Sequence, residues 1–165
     1  QKLQTQSSSI VNRLYGIKDK DFPNFKTISS AGTISQCKTG PNNCPGPADL
    51  GWYVNLDKSK KVTAEPTIDK NLVWFPIYEP KPTANICDSG NAILADVNNI
   101  CGDATFRKLG KGVLSKVVVQ GKNLIIGISG EADKDVESQG NLITLKSKAT
   151  SGSGKVQLEG WRENN

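Results

Sequence analysis

Two β-prone runs joined by a short polar turn make up residues 62–78, which read VTAEPTIDKNLVWFPIY. β-Branched and aromatic residues fill both runs, and the intervening turn at residues 69–71 is typical of a β-hairpin. Pro76 has no backbone N–H to donate, so its place in the second run indicates an edge strand or a bulge. We therefore expect an antiparallel hairpin in this stretch.

The pattern of this hairpin recurs about 52 residues further along the chain. There, residues 113–119 and 124–129 form two more β-prone runs around a turn at residues 120–123. A loop and a further strand-like run follow each hairpin, at residues 92–97 in the first unit and 141–145 in the second. Two copies of strand, turn, strand, loop and strand predict the antiparallel β-meander blades of a β-propeller, or a comparable all-β repeat.

The chain is too short for a closed propeller of such blades. Each blade takes about 40–50 residues and a closed ring needs at least about four of them, whereas the chain has 165 residues in all. We therefore expect a single all-β domain over residues 1–165 that forms a partial propeller. Two other arrangements are compatible with a chain of this length: it pairs with another chain, or the repeat folds as a small β-sandwich.

Further strands flank the repeat. Residues 51–56 read GWYVNL and predict a strand, and residues 156–161 can serve as a closing strand. Residues 8–18 fit either a short strand pair or a helical stripe, and Tyr15-Gly16-Ile17 favours the strands. Residues 35–50 are rich in Gly, Pro and Asn, which predicts an irregular surface loop.

Composition and charge narrow the class of protein. Hydrophobic residues make up 36% of the chain, and 16 glycines with 8 prolines indicate short strands joined by many turns. No apolar run approaches the ~20 residues that span a bilayer, and the first residues lack a signal-peptide core, so we expect a mature or excised piece. The net charge of +5 comes from dispersed lysines with few arginines, which disfavours a nucleic-acid interface.

The four cysteines occur as two local pairs, Cys37 with Cys44 and Cys87 with Cys101. Three disulfide pairings are open in principle, and we favour the local one because each pair brackets turn residues, so that closure costs little entropy. Such disulfides would pin the two loops and indicate an oxidising, extracytoplasmic compartment. A four-cysteine zinc site is the competing interpretation, although neither pair has the spacing of about two to four residues usual for zinc.

No catalytic constellation can be identified in the sequence. The chain has no histidine, which excludes every mechanism built on an imidazole base. Acidic residues near strand ends leave a paired-carboxylate glycosidase formally open, although no spacing singles out a facing pair. These residues are Glu65, Glu79, Asp88 and Asp96. We expect a protein that is not an enzyme.

Residues 133–140 read DKDVESQG, and their acidic side chains alternate as they do in a cation-binding loop. The glycine falls two positions later than an EF-hand turn requires, and Thr144 stands where the closing Glu would be. We therefore interpret this segment as a solvated hairpin tip and predict no metal site and no cofactor, with calcium as the one ion that the pattern leaves open.

Three aromatic residues are candidates for contact with a ligand, namely Trp52, Tyr53 and Trp74. Tyr53 follows Trp52, and Phe75 follows Trp74, so the two side chains of each pair point to opposite faces of a strand. Packing in the core is the default for aromatic residues. We expect one member of each pair in the core and the other partly exposed.

The order of short motifs along the chain resembles the C-terminal end of the PilY/PilC family of type IV pilus biogenesis factors and tip adhesins. The motifs are Arg13–Asp19, Gly51–Leu56, Glu65-Pro66, the cysteine-containing loop before Gly90, Gly110–Val113 and Gly160–Glu163. Each motif is short, and their order covers nearly the whole chain. The chain departs from the family in lacking an obvious copy of its calcium loop.

This resemblance implies that residues 1–165 are the C-terminal two to three blades of a larger β-propeller. It implies a secreted, non-enzymatic module at the bacterial cell surface or pilus that acts in pilus assembly and surface adhesion. Partners would be pilins or other pilus-tip proteins, the remaining blades as a separate chain, and a host or abiotic surface. Two alternatives stay open: a fragment of a quinoprotein-like propeller enzyme, and a secreted β-rich structural protein that assembles through its strand edges.

Overall fold

The fold is all-β. A computed structural model describes residues 11–17, 50–82, 89–100 and 102–150, together with the backbone of residues 34–36. Within these ranges the regular elements are strands, and no helix occurs. The strands are β1 Asn12–Ile17, β2 Ile34–Gln36, β3 Gly51–Leu56, β4 Lys61–Val62, β5 Thr67–Asp69, β6 Leu72–Glu79, β7 Asn91–Asn98, β8 Ala104–Lys111, β9 Val118–Gln120, β10 Asn123–Gly127, β11 Ser138–Gln139 and β12 Leu142–Lys146.

The middle sheet contains β4 to β8. Strands β6, β7 and β8 form an antiparallel meander, and β4 and β5 both pair with the free side of β6. The predicted hairpin is confirmed in part as β5 and β6, which meet at the turn Lys70-Asn71, but its first run is interrupted at residues 63–66. The predicted third strand is confirmed as β7. No apolar or alternating pattern predicts β8, because residues 105–108 of this strand are all exposed and include Arg107 and Lys108.

Pro76 lies on an interior strand, so the expected edge position is wrong. Its ring nitrogen is tolerated because Pro76 faces the gap between β4 and β5, where residues 63–66 leave the sheet. The Pro76 carbonyl still accepts a hydrogen bond of 3.0 Å from the Thr63 N–H. A missing donor at an interruption in the ladder costs little, whereas in a continuous ladder it would leave an acceptor unpaired.

The third sheet contains β9 to β12. Its strand order is β11-β12-β10-β9, so β12 returns between β10 and β11, and this sheet is antiparallel without being a simple meander. The predicted second hairpin is confirmed as β9 and β10, with Gly121 and Lys122 in the turn. Its first strand begins at Val118, five residues later than residue 113, and Leu114 contributes only an isolated bridge to Ile128.

The first sheet has the order β1-β3-β2. Strand β1 is antiparallel to β3, while β2 runs parallel to β3. The strand predicted at residues 51–56 is therefore confirmed as β3. Within residues 8–18, the described part forms the single strand β1 in place of the expected strand pair. Within the described ranges the three sheets are open and do not close into a barrel or a propeller ring.

The three sheets stack face to face, and the middle sheet is buried on both sides. Alternate residues of β6 and β7 point to opposite faces, as the pleat requires. One face packs on the third sheet through Trp74, Ala92, Leu94, Leu109, Leu114, Val117, Leu124, Ile126, Ile128, Val136, Ile143 and Leu145. The other face packs on the first sheet through Leu14, Trp52, Val54, Leu56, Val73, Phe75, Ile77, Ile93, Ala95 and Val97.

This double coverage corrects one expectation about the aromatic pairs. Trp74 and Phe75 are both buried, at 2% and 9% exposure, because each enters a different core. In the other pair, Trp52 is buried and Tyr53 is partly exposed, as expected for a sheet covered on one side.

Several predicted features lie outside the described residues. These are the four cysteines Cys37, Cys44, Cys87 and Cys101, most of the loop at residues 35–50, Asp88 and the closing strand at residues 156–161. The local disulfide pairing therefore stays a prediction. As for the membrane, the described ranges contain no helix of the length and apolar character needed to cross a bilayer.

Candidate ligand-binding cleft

A cleft of about 240 Å³ opens between the middle sheet and the third sheet, at the edge of the core they share. Its floor is apolar and consists of Trp74, Leu94, Leu124 and Leu145. Leu124 on β10 and Leu145 on β12 are direct cross-strand partners in the third sheet. Because all four floor residues are buried in the packed core, the shape of the floor is fixed by the fold.

A carboxylate lies on the wall of this cleft. Asp96 on β7 stands directly opposite Trp74 on β6 and Thr105 on β8, so one row of the middle sheet presents an aromatic, an acidic and a hydroxyl side chain. Asp96 is half-buried. Burial raises the pKa of the Asp96 carboxyl above its ordinary value of 3.8, while the charge of Lys148 acts in the opposite direction.

Three cations also line the cleft, and they come from both sheets. Arg107 follows Thr105 on the same face of β8, whereas Lys146 ends β12 and Lys148 lies just beyond it. The Lys146 Nζ donates a hydrogen bond of 2.9 Å to Asn123 Oδ1. Three cations against one carboxylate leave the lining of the cleft with a positive excess.

The three aromatic candidates are not brought together. Trp74 lies at the floor of the cleft. Trp52 is 3% exposed, packs against Gly16 and Gly102, and donates from Nε1 to the Asn99 carbonyl at 3.1 Å. These contacts account for Trp52 as a core residue, and its role in ligand contact stays a prediction.

Tyr53 lies on the outer face of the first sheet, away from the cleft. Its ring centroid is 6.1 Å from that of Tyr15, and the Arg13 guanidinium lies 5.0 Å from its centre. The Arg13 Nε also donates to Asn55 Oδ1 at 3.1 Å. These side chains, with the exposed Ile17, form a second surface with both aromatic and cationic character.

The acidic candidates that the structure describes, Glu65, Glu79 and Asp96, do not form a facing pair of carboxylates. Asp96 points towards the third sheet, while Glu79 lies on the opposite face of the middle sheet, by the alternation along β6 and β7. Glu79 accepts a hydrogen bond of 2.9 Å from Asn91 and has Lys58 and Lys60 each at 3.8 Å. Glu65 pairs with Lys116 at 2.7 Å, which lowers the pKa of the Glu65 carboxyl.

The segment at residues 133–140 is anchored by Val136, which is buried in the core beneath it. Asp133 pairs with Lys108 at 3.2 Å, and the Val136 N–H donates to the Asp133 carbonyl at 2.9 Å. In the described part of the chain, no three His, Cys, Asp or Glu side chains gather as a metal would require. The placement of this segment agrees with its interpretation as a hairpin tip, with Gly140 in the turn.

Sequence reasoning named Trp74 and Asp96 but not their cationic neighbours. Arg107 lies on the strand that was not predicted, and Lys146 and Lys148 come from the other sheet, so only the stacking brings the three together. Searches of protein families, of curated proteins and of solved structures found no match to this chain.

Proposed function

We propose that the chain is a non-enzymatic, extracellular module of a type IV pilus-associated protein that acts in pilus assembly and surface adhesion, with its three sheets as successive blades of a partial β-propeller. The observation that carries this proposal is the face-to-face stack, in which the middle sheet is buried on both sides. Propeller blades are antiparallel sheets that pack on their neighbours through both faces, so a middle blade is covered in this way.

The outer face of the first sheet supports a continuation of the stack. Tyr15 and Ile17 are 52% and 64% exposed there, although their strand neighbour Leu14 is buried. A sheet that exposes such residues is suited to packing against a further blade, because exposed apolar patches usually mark interaction surfaces. The remaining blades, on a separate chain or elsewhere in a longer protein, are the partner that this face fits best. The parallel strand β2 and the inserted strand β12 distinguish these sheets from regular meander blades.

The adhesive function rests on binding surfaces displayed by a rigid β scaffold. The cleft between the middle and third sheets is such a surface, and binding there needs no covalent chemistry. Secretion to the cell surface or pilus, and partners among pilins, pilus-tip proteins and host or abiotic surfaces, follow from the same proposal.

The test is direct binding of the purified chain to purified type IV pili, measured by co-sedimentation. A matched sample of an unrelated filament, such as flagellin filaments, controls for trapping. We expect saturable binding to pili and none to the control filament. Equal recovery with both filaments, or self-assembly of the chain without pili, would contradict the proposal and favour a β-rich structural protein that assembles through its strand edges.

A further inference from the structure

We propose that the cleft between the middle and third sheets binds one residue of an acidic saccharide, a sugar that carries a carboxylate or sulfate group. The inference deepens the proposed function and rests on it for the extracellular setting, since it gives the adhesive module a ligand class. Its basis is the juxtaposition of Arg107, Lys148 and Asp96 over an apolar floor.

The cations select for an anion. Arg107 has no hydrogen-bond or ion-pair partner among the described residues, and it lines the cleft on the side opposite Lys146 and Lys148. A guanidinium presents a planar fork of donors that matches the oxygens of a carboxylate or sulfate. The lysines add positive charge from the facing sheet, so a ligand anion would be approached from both walls.

Asp96 argues against a simple inorganic anion as the ligand. A carboxylate in the wall repels a bare anion, but it accepts hydrogen bonds from hydroxyl groups. The Thr105 hydroxyl in the same row can donate or accept. A ligand that satisfies Arg107, Asp96 and Thr105 together must combine an anionic group with hydroxyl donors, which is the chemistry of an acidic sugar.

The size and floor of the cleft fit one sugar ring. Its volume of about 240 Å³ lies below the ~300–1,000 Å³ usual for pockets that enclose drug-sized ligands. The C–H face of a sugar ring can rest on the apolar floor formed by Leu94, Leu124, Leu145 and the buried ring of Trp74. The cleft would therefore hold a terminal or branching residue of a longer glycan.

Titration of the full chain, followed by heteronuclear NMR, tests the ligand class. The probes are an oligogalacturonate, a sulfated galactose oligomer, a neutral galactose oligomer of the same length and inorganic sulfate. We expect saturable shifts at Asp96, Thr105 and Arg107 with one or both acidic sugars, and at least tenfold weaker binding of the neutral oligomer and of sulfate. Equal binding of the acidic and neutral oligomers, sulfate binding as tight as that of the acidic sugars, or no binding of either acidic sugar would overturn the inference.

Two substitutions separate a saccharide site from an adventitious anion site. Arg107→Gln should weaken binding of the acidic sugar at least tenfold, because it removes the fork that holds the anionic group. Asp96→Ala should weaken it about tenfold through the loss of a charged acceptor, whereas a plain anion site would bind more tightly without this carboxylate. Tighter binding of the sugar by Asp96→Ala would therefore contradict the proposal.

Lys111→Gln is the matched control, because it removes one exposed positive charge from the same strand without touching the cleft. Sugar affinity should be unchanged in this variant, and thermal unfolding checks that all three variants fold. Co-sedimentation of the original chain with pili, set beside its sugar titration, distinguishes the two proposals. Pilus binding by the original chain when it binds no acidic sugar overturns the saccharide site alone, and sugar binding without pilus binding overturns the pilus function alone.

Discussion

Lys70 adopts a backbone conformation that is unfavourable for its side chain. It has a φ of 54° and occupies the first position of a two-residue hairpin loop, where the equivalent residues of the other two hairpins are Gly121 at 61° and Gly140 at 58°. A left-handed conformation costs a non-glycine residue about 1–2 kcal/mol, whereas glycine and asparagine adopt it readily. The turn between β5 and β6 is therefore the strained member of three similar turns.

Relief of this strain is expected to stabilise the protein. Lys70→Asn should raise the free energy of unfolding by about 0.5 kcal/mol, and Gly121→Ala should lower it by about 1 kcal/mol. A Cβ at Gly121 would have no atom within 4 Å, so its effect would report the backbone alone. Urea unfolding of the full chain measures both values. Destabilisation by Lys70→Asn would show that the lysine side chain contributes more than the turn conformation costs.

Asp96 ties the stability of the fold to pH. Because burial raises the pKa of its carboxyl in the folded state, the folded state binds the proton more tightly than the unfolded state does. The stabilising effect of the protonated form is complete below the ordinary value of 3.8 and is lost as the pH rises through the folded-state pKa. At neutral pH the ionised Asp96 therefore weakens the fold.

Asp96→Asn should accordingly raise the midpoint of thermal unfolding at pH 7, and the gain should shrink towards pH 3, where Asp96 of the original protein is neutral. Differential scanning calorimetry across this range gives the comparison. Asp103→Asn, at an exposed position just before β8, is the control and should show no such trend. A gain that is independent of pH would mean that the ionisation of Asp96 is not its cause.

At the scale of the elements, the contact between β1 and β3 depends on close packing around Trp52. A Cβ on Gly16 would collide with the Trp52 ring, and a Cβ on Gly102 would collide with other atoms of the same ring. The indole thus packs against two residues without side chains, and its N–H donates to the Asn99 carbonyl. The conformation of Gly16 does not require glycine, so its small size is what matters there.

Gly16→Ala should destabilise the protein by about 1–3 kcal/mol, the usual cost of overpacking a rigid site. Gly140→Ala tests the opposite case, since its new Cβ would meet nothing and only its left-handed backbone would be strained. Crystal structures or chemical shifts of the two variants should place the perturbation at Trp52 in the first and in the turn in the second. An unchanged unfolding free energy for Gly16→Ala would mean that the Trp52 ring moves freely.

The elements that sequence predicts well are those with an alternating or strongly apolar pattern and a turn signal. Strands β6 and β7 and the turns at Lys70 and Gly121 meet this condition. Strand β8 is not predicted from the sequence. Its hydrogen-bonded ladder to β7 makes it a strand, but residues 105–108 are exposed, so the apolar alternation that marks a strand is missing there. The same strand carries Thr105, Phe106 and Arg107, so missing it also hides this part of the cleft lining.

At the scale of the whole molecule, the arrangement of the sheets could not be read from local patterns. The sequence predicts one buried aromatic residue in each adjacent pair of aromatics. Trp74 and Phe75 are both buried because the first and third sheets cover opposite faces of the middle sheet. The cleft depends on the stacking as well, because Lys146 and Arg107 are brought to one site only when the third sheet packs on the middle one. Sequence therefore named members of the candidate site without predicting the site.

Double coverage of the middle sheet is the feature on which the three-layer stack and the cleft both depend. Ile93 and Leu94 are neighbours on β7 with 6% and 4% exposure, and they point into different cores. The most direct test is the free energy of unfolding of Ile93→Ala and of Leu94→Ala, measured in urea. We expect each to lose about 2–5 kcal/mol. A loss below about 0.5 kcal/mol for either variant, the range of surface substitutions, would mean that one face of the sheet is uncovered and would contradict the three-layer stack.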